Sequence, residues 1–516
     1  MARGALQRDG EAAPLDDAEG ENGVWRYAMA ERASVVVDAA DYFAHMQQAM
    51  LAARKQIFLI GWDFDTRIHL THGRRWWQRP YNKQHPSRLG SFVGWLVRHH
   101  RDLDVRILKW SVSYLQFLLR GSMTWDLIRW ARHKRVSFKF DNAHPIACSH
   151  HQKLAVLDGR LAVCGGIDMT DKRWDTRDHR EIDPRRRGID GRLYGPWHDA
   201  TMMMEGDIAG ALGDVGRNRW ERAGGGQVPR IEPSRDSLWP AKLPVQFANV
   251  EIGIARTRAE YNGCGAVSEI RKLHQRHIAG AQRFIYAESQ YFASRVVAEA
   301  IIARLQEDDP PEIVIVHPEH ADGWLEQQAM DHARAALVRT IEASDKHQRF
   351  SLWTPRVGQT PIYVHAKLMI IDDRILRIGS ANLNNRSMGL DSECDVFIDT
   401  YRPCNAHAEP AIAGLRRSLL AEHLDLEEAE VDGLIEQHGS MRAMIEASGK
   451  DGGRHLRRYR PPELTGTEKS LAESQLLDPE HPDDMFEPFA RGGLFRKGTR
   501  LARVRERLHL QGKAPR

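Results

Sequence analysis

The sequence has little cysteine, no long apolar run and no large excess of either charge, and each shortage argues against a class of protein. The five cysteines of the 516 residues are far apart and form no CxxC pair, which argues against a disulfide framework or a zinc knuckle. No apolar segment approaches the roughly 20 residues that a membrane helix needs. Residues 1–30 lack the basic start and apolar core of a signal peptide, so we expect a cytoplasmic protein.

The length and composition predict a globular chain of several parts. With 42% hydrophobic and 28% charged residues, the composition is that of an ordinary folded protein. We expect a flexible leader at 1–34, a first lobe at 35–223, a Gly- and Pro-rich linker at 224–245, a second lobe at 246–425 and a helical, basic extension at 426–516. The net charge of +4 is too small for this length to identify a partner.

One order of secondary structure occurs twice along the chain. Apolar strands alternate with helical segments in both halves, and the predicted strands match pairwise: 56–62 with 283–287, 105–108 with 312–316, and 136–140 with 349–353. This alternation predicts an α/β fold with two similar α/β/α lobes, each with a mixed central sheet, related by a pseudo-twofold axis. Two further helices are expected in the second half, at 409–422 and 427–447.

A set of polar residues is repeated after the matched strands. The first copy contains His151, Lys153 and Asp158, followed by a glycine turn with Asp168; the second contains His365, Lys367 and Asp372, followed by a glycine turn with Ser380 and Asn382. On a strand, a His and a Lys two residues apart share one face. Two such faces predict a single pocket with two imidazoles and two ammonium groups.

This combination suits the chemistry of a phosphodiester. The lysines supply positive charge, and Asp168, Ser380 and Asn382 are candidates for contact with the substrate, the last two as hydrogen-bond donors to the phosphoryl oxygens. One histidine can attack phosphorus and form a covalent phosphohistidine. The other can protonate the leaving oxygen and then deprotonate water or an alcohol. The motif chemistry alone leaves open which histidine attacks.

Each histidine needs a carboxylate to orient its second ring nitrogen. The candidates are Asp199, downstream of His151, and Glu393, downstream of His365. Asp158 and Asp372 are counted with the catalytic set, although their place at a strand-ending turn favours a role in backbone geometry. The lysines supply the charge that a metal supplies elsewhere, and no tight metal-ligand spacing such as HExxH occurs. We therefore expect neither a metal nor a cofactor.

The paired motifs resemble the signature of the phospholipase D superfamily, HxKxxxxD followed by a glycine turn. Further segments are similar to eukaryotic-type phospholipases D: Arg173–Asp175, Pro196–Asp199, Ile285–Phe292, Ile378–Met388 and Leu419–Leu424. Ala287 and Ser289 depart from the pattern of that branch. The resemblance covers roughly residues 35–425.

The resemblance implies hydrolysis of a glycerophospholipid to phosphatidic acid and a free headgroup, and also exchange of that headgroup for another alcohol. It also implies that His151 is the nucleophile and His365 the general acid. Alternatives are a phosphatidyltransferase of the cardiolipin-synthase kind, a nuclease of the superfamily and a lipid-binding protein without turnover. We expect a monomer that meets phospholipid at a membrane surface and binds no nucleic acid, because a nuclease favours a basic, aromatic-lined groove.

Overall fold

The structure is a computed structural model. It describes residues 18–71, 85–110, 121–145, 148–320, 324–449, 452–463, 500, 501, 503 and 504. Residues 1–17 of the predicted leader and most of the basic C-terminal tail lie outside the described residues.

Strands and helices alternate along the chain. The strands are β1 (Arg26–Val37), β2 (Gln56–Gly61), β3 (Asp104–Trp110), β4 (Val136–Asp141), β5 (Leu154–Leu157), β6 (Leu161–Gly165), β7 (Trp197–His198), β8 (Ala200–Glu205), β9 (Phe247–Arg258), β10 (Val267–Ser268), β11 (Phe284–Ser289), β12 (Glu312–Val316), β13 (Phe350–Val357), β14 (Thr360–Pro361), β15 (Tyr363–Val364), β16 (Lys367–Ile371), β17 (Ile375–Gly379), β18 (Glu393–Asp399) and β19 (Arg454–Arg458). The helices are α1 (Ala39–Ala52), α2 (Leu89–His99), α3 (Ser122–Ala131), α4 (Asp207–Trp220), α5 (Glu269–Gly280), α6 (Arg295–Leu305), α7 (Trp324–Ser344), α8 (Asn385–Gly389), α9 (Glu409–Leu424), α10 (Glu428–His438) and α11 (Met441–Ala447).

The strands of the two halves pair in the same order. In the first half the order is β4-β3-β2-β5-β6-β8-β1, with β4, β3 and β2 parallel and the rest antiparallel. In the second half it is β13-β12-β11-β16-β17-β18-β9, with the same pattern of directions. Antiparallel pairing of β1 with β9 joins the halves into one large mixed sheet. The predicted α/β class is confirmed, and the repeated strand order agrees with the predicted duplication.

Side chains alternate between two apolar layers along the buried strands, as the two-residue period of a strand requires. In β2, Ile57 and Leu59 pack in an outer cluster with α1 and α2, whereas Phe58 and Ile60 face a cluster that both halves share. In β11, Ile285 packs in the outer cluster of the second half with α5 and α6. The shared central layer therefore lies between the two halves, and helices cover the outer faces.

The structure differs from three of the predicted segments. Residues 26–34 belong to β1 rather than to a leader, because they pair with β8 and β9. The expected helix 427–447 is split into α10 and α11 at Gly439, whose φ of +79° ends the first helix. In the extension, β19 adds a strand to the edge of β13, and Leu501 is buried in the core of the second half.

None of the helices in the described parts of the chain is long and apolar enough to span a bilayer.

Candidate active site

The two His-Lys motifs lie at the starts of the strands that were predicted to carry them. His151 and Lys153 precede β5, and His365 precedes β16, which begins at Lys367. The physical reason is that the backbone here bonds across the halves: the His151 amide donates to the Ser392 carbonyl at 2.9 Å, and the His365 amide donates to the His198 carbonyl at 2.7 Å. The motifs are therefore built into the interface between the halves.

His151 is oriented by residues of the second half. Its Nδ1 lies 2.9 Å from the main-chain oxygen of Ser380 and 3.1 Å from both carboxyl oxygens of Glu393. Glu393 is itself held by hydroxyl groups, with Ser380 donating at 2.5 Å and Ser387 at 2.7 Å. A carbonyl oxygen only accepts, so Nδ1 carries the hydrogen and Nε2 is left with its lone pair.

His365 is oriented by the first half. Its Nδ1 lies 2.7 Å from the Asp199 carboxylate. The second carboxyl oxygen of Asp199 accepts from the Ala200 amide at 2.8 Å. A Cβ at Gly166 would stand 2.1 Å from that same oxygen, so the glycine turn leaves the space that Asp199 occupies.

The two orienting carboxylates are the predicted residues, but each contacts the histidine of the other half. Chain order places Asp199 after His151 and Glu393 after His365, whereas Asp199 contacts His365 and Glu393 contacts His151. Spacing along one half cannot reveal this, because each carboxylate reaches its histidine across the interface.

The lysines are held in matched ways. Each ammonium donates to the main-chain oxygen of its own motif's histidine, Lys153 to His151 at 2.8 Å and Lys367 to His365. Lys153 also lies 3.3 Å from the Asp168 carboxylate. Lys367 instead donates to the side-chain oxygen of Gln290 at 3.1 Å, so the second lysine has a neutral partner.

Burial and positive charge shift the titration of both histidines. Burial, followed by the charges of Lys153 and Lys367, holds the pKa of His151 well below its usual value. The pKa of His365 is also well below its usual value because of burial, Lys367 and nearby Arg173. Burial lowers the pKa of Lys367 to about 7. An arriving anion would favour the protonated form of each group.

Burial shifts the orienting carboxyls in the opposite direction. It raises the pKa of Glu393 to about 8 and that of Asp199 to about 6. At neutral pH, Asp199 is therefore mostly ionised and Glu393 mostly protonated.

Asp158 and Asp372 do not join the imidazoles. Asp158 lies at the far end of β5 from His151 and accepts from the amides of residues 54, 55 and 56 at 2.7–2.8 Å. Asp372 accepts from the amides of residues 282, 283 and 284 at 2.7–2.8 Å. The contacts agree with the backbone role favoured by their position at a turn: each aspartate joins a motif strand to the loop that begins the neighbouring strand.

The three candidate substrate contacts have different surroundings. Asp168 pairs with Lys153 and accepts from the Trp62 amide at 3.1 Å. Ser380 donates to Glu393 and so belongs to the carboxyl that orients His151. Among the described residues, the buried side-chain oxygen of Asn382 has no hydrogen-bond partner, which makes Asn382 the member of the three with an unpaired polar atom.

Several residues of the site were not predicted individually. Gln290 contacts Lys367, Ser387 contacts Glu393, and the Trp197 ring lies 5.3 Å from the His365 ring and stacks on Tyr363 at 4.5 Å. Arg173 lies 4.2 Å above Trp197. All of these residues except Tyr363 fall within the segments that carry the family resemblance, and that resemblance is the sequence signal that could have identified them.

Comparisons with known proteins agree with the motifs. A family model described as phospholipase D matches residues 327–473. The chain is 26% identical to phospholipase D alpha 1 of Zea mays over 397 residues, 54% of this chain and 49% of that protein. It is 24% identical to phospholipase D A of Dictyostelium discoideum over 418 residues, 68% of this chain and 31% of that protein. The chain thus spans about half or less of these relatives.

A solved structure shares the fold. The phosphatidylserine synthase of Haemophilus influenzae Rd KW20 aligns with a TM-score of 0.52 and 12% identity, covering 83% of this chain and 97% of that one. The resemblance to the phospholipase D superfamily, first indicated by the paired motifs, is confirmed.

Proposed function

We propose that the protein is a phospholipase D that hydrolyses a glycerophospholipid to phosphatidic acid and a free headgroup through a phosphohistidine on His151. The reaction needs no metal ion in contact with the phosphate, because Lys153 and Lys367 supply positive charge beside both imidazoles. An added alcohol replaces water and gives a phosphatidyl alcohol. We propose further that the protein acts as a monomer at a membrane surface.

The observation that carries this proposal is the pair of histidines, each with its own acceptor on Nδ1. Two imidazoles with defined tautomers can attack phosphorus and protonate a leaving group in the same site.

The surroundings of the two histidines support the division of roles. His151 keeps 14% of its side chain exposed, and its Nδ1 faces a neutral carbonyl, which favours an unprotonated, accessible Nε2. His365 is 6% exposed and faces a carboxylate that is mostly ionised at neutral pH, which favours the imidazolium once the substrate is bound. The nucleophile is accordingly His151 and the general acid is His365.

The test compares substrates under one condition. The full chain is incubated with phosphatidylcholine, phosphatidylglycerol or single-stranded DNA, with a chelator and ethanol present. We expect phosphatidylethanol and phosphatidic acid from at least one lipid. Cleavage of DNA with both lipids intact would identify a nuclease, and formation of cardiolipin from phosphatidylglycerol without phosphatidic acid would identify a transferase.

The intermediate is tested separately. Acid-free quenching during turnover, followed by peptide mass spectrometry, should place the phosphoryl group on His151. Its recovery on His365 would reverse the two roles.

A further inference from the structure

A second cluster of ionisable residues lies behind the His365 half-site and is fully buried. Its four members come from separate segments: Asp38 follows β1, His179 lies between β6 and β7, His198 is in β7 and Glu422 is in α9. One donor atom from each lies within 4.8 Å of the other three. The cluster adjoins the second motif through the backbone, because the His365 amide donates to the His198 carbonyl. The proposed reaction uses none of its four side chains.

We propose that Asp38, His179, His198 and Glu422 form a tetrahedral site for a structural Zn²⁺ ion. Two imidazole nitrogens and two carboxylate oxygens are a donor set that zinc accepts. The inference concerns the stability of this region and does not depend on the reaction at His151.

The spacing of the donor atoms fits such an ion. Nε2 of His179 lies 3.0 Å from Oε1 of Glu422 and 3.4 Å from Oδ2 of Asp38. Nδ1 of His198 lies 2.9 Å from the same Glu422 oxygen and 3.5 Å from Oδ1, the other carboxylate oxygen of Asp38. Zinc bonds of about 2.0–2.2 Å in a tetrahedron place neighbouring donors about 3.3–3.6 Å apart. The observed separations lie near this range, with the nearest pairs slightly closer.

Two of the donor atoms are buried without a hydrogen bond. Nδ1 of His198 and Oδ2 of Asp38 have no hydrogen-bond partner in the structure, although other cluster atoms lie within 3.5 Å. Buried polar atoms are nearly always paired. Nε2 of His179 is within hydrogen-bond distance of Glu422 at 3.0 Å. Two unpartnered polar atoms in the same buried cluster are expected where a cation completes the group.

The second ring nitrogen of each histidine has the partner that a zinc ligand usually has. Nδ1 of His179 lies 3.0 Å from Asp175, and Nε2 of His198 lies 2.8 Å from Glu288. Such carboxylates fix the tautomer and orientation of ligating histidines. Asp175 accepts from Arg186, and Glu288 accepts from Tyr286, so these outer partners are also fixed.

The charges of the described network leave room for one divalent ion. Four carboxylates face two guanidinium groups, Arg177 and Arg186, which leaves two negative charges when His179, His198 and the adjacent His423 are neutral. Either two extra protons, one each on His179 and His198, or a single Zn²⁺ balances them. These are the two states that the experiment distinguishes.

The backbone at two of the donors is strained. Asp38 has φ of +65° and ψ of 152°, and His179 has φ of +43°. Residues other than glycine rarely adopt such angles, and local strain of this kind persists only where surrounding interactions offset it. Bonds to a metal ion would provide that compensation.

The first measurement is the metal content of the full chain. Protein expressed with zinc in the medium is passed over a chelating resin and analysed by inductively coupled plasma mass spectrometry. We expect about one zinc ion per chain, as for a closed structural site. The same protein is then unfolded in guanidinium chloride with EDTA and refolded with and without Zn²⁺, and the zinc-refolded sample should melt at a higher temperature.

Matched variants locate the ion. Asp38→Asn and His179→Gln should each reduce bound zinc to about a tenth or less, because each removes a ligand. His423→Gln is the control: His423 is buried and contacts Glu288 at 3.1 Å, but it is not one of the four donors. It should retain the zinc of the unmodified chain.

The opposite results would overturn the proposal. In the first, the refolded wild-type chain binds no stoichiometric zinc and its melting temperature does not change when Zn²⁺ is added. In the second, all three variants retain zinc equally. In the first case the cluster is a pair of imidazolium ions. Zinc content and melting temperature are both independent of turnover. An inactive protein that binds zinc would therefore contradict the proposed function and leave this inference intact.

Discussion

The two half-sites use the same motif but differ in what stands behind each histidine. His151 is supported by a carboxyl held by two serine hydroxyls and by a main-chain oxygen. His365 has one acceptor, Asp199, whose amide donates at 3.1 Å to Asp38 of the buried charged cluster. A duplicated pattern has thus acquired neutral surroundings on one side and charged surroundings on the other. Identical motifs thus have unequal neighbours, and this inequality is the basis of the unequal roles that we propose.

The largest expected effect tests the unequal roles directly. His151→Asn should lower kcat by about 10⁴-fold or more, because the attacking nitrogen is lost. His365→Asn should also be slow on ordinary lipids, but on a phosphatidyl ester of 4-nitrophenol it should release a burst of about one equivalent of nitrophenol. A good leaving group needs little help from an acid.

The burst is measured by stopped-flow absorbance, with circular dichroism as the folding control for both variants. A burst from His151→Asn and none from His365→Asn would exchange the roles.

The orienting carboxyls should differ in importance. Asp199→Asn should lower kcat by about 10²–10⁴-fold, because His365 has no other Nδ1 acceptor and the amide favours the wrong tautomer. Glu393→Gln should cost only about 10-fold, since the Ser380 carbonyl still orients His151 and Glu393 is already mostly protonated at neutral pH. Steady-state kinetics on one lipid compares them, and equal losses would contradict the proposed asymmetry.

The pH dependence of kcat/KM provides a third comparison. The pKa of Lys367 is lowered to about 7, so its ammonium form is present below that pH and is lost as the pH rises. Loss of the His365 imidazolium lowers kcat/KM at a lower pH, and we expect loss of the Lys367 ammonium to add a further fall above about pH 7. This further fall in kcat/KM is the alkaline limb of the pH profile. In Asp199→Asn the limb should move to lower pH, because the Asp199 charge favours the ammonium of Lys367.

The Glu393→Gln variant should move that limb less, because little charge is removed near neutral pH. Asp158→Asn, which alters only backbone contacts, should leave the profile unchanged. A limb that stays in place in Asp199→Asn would exclude Lys367 as its origin.

The smallest difference is expected where the halves are alike. Asp158 and Asp372 each accept three main-chain hydrogen bonds. Asp158→Asn and Asp372→Asn should each lower the free energy of unfolding by about 1–3 kcal/mol, because an amide satisfies such a set less well. Urea denaturation checks this, and a loss of kcat at unchanged stability in either variant would return that residue to the catalytic set.

Much of the fold and of the site could be predicted because the determinants are local. The apolar strands around Phe58 and Tyr286, the repeated histidines and lysines, and the backbone role favoured for Asp158 all follow from period and position. The sequence also allowed Asp199 and Glu393 to be predicted as the orienting carboxylates. It did not reveal which histidine each one contacts, because both reach across an interface that spacing within one half does not encode.

The cluster around His198 was missed for a related reason. Its donors are separated by up to several hundred positions along the chain, from Asp38 to Glu422, so no compact ligand motif exists to find. The strand Arg454–Arg458 was also missed, because its basic sequence reads as solvated and only its pairing with the edge of β13 makes it a strand.

The crossed carboxylates bear on how such a chain could arise. A half on its own would carry a histidine whose partner is absent and a carboxylate with nothing to orient. Two copies of one ancestral half, associated through the equivalent of the β1–β9 pairing, would complete both histidines at once by symmetry. Fusion of the two genes would then preserve a working site from the first generation, and the differences between Asp199 and Glu393 could accumulate afterwards.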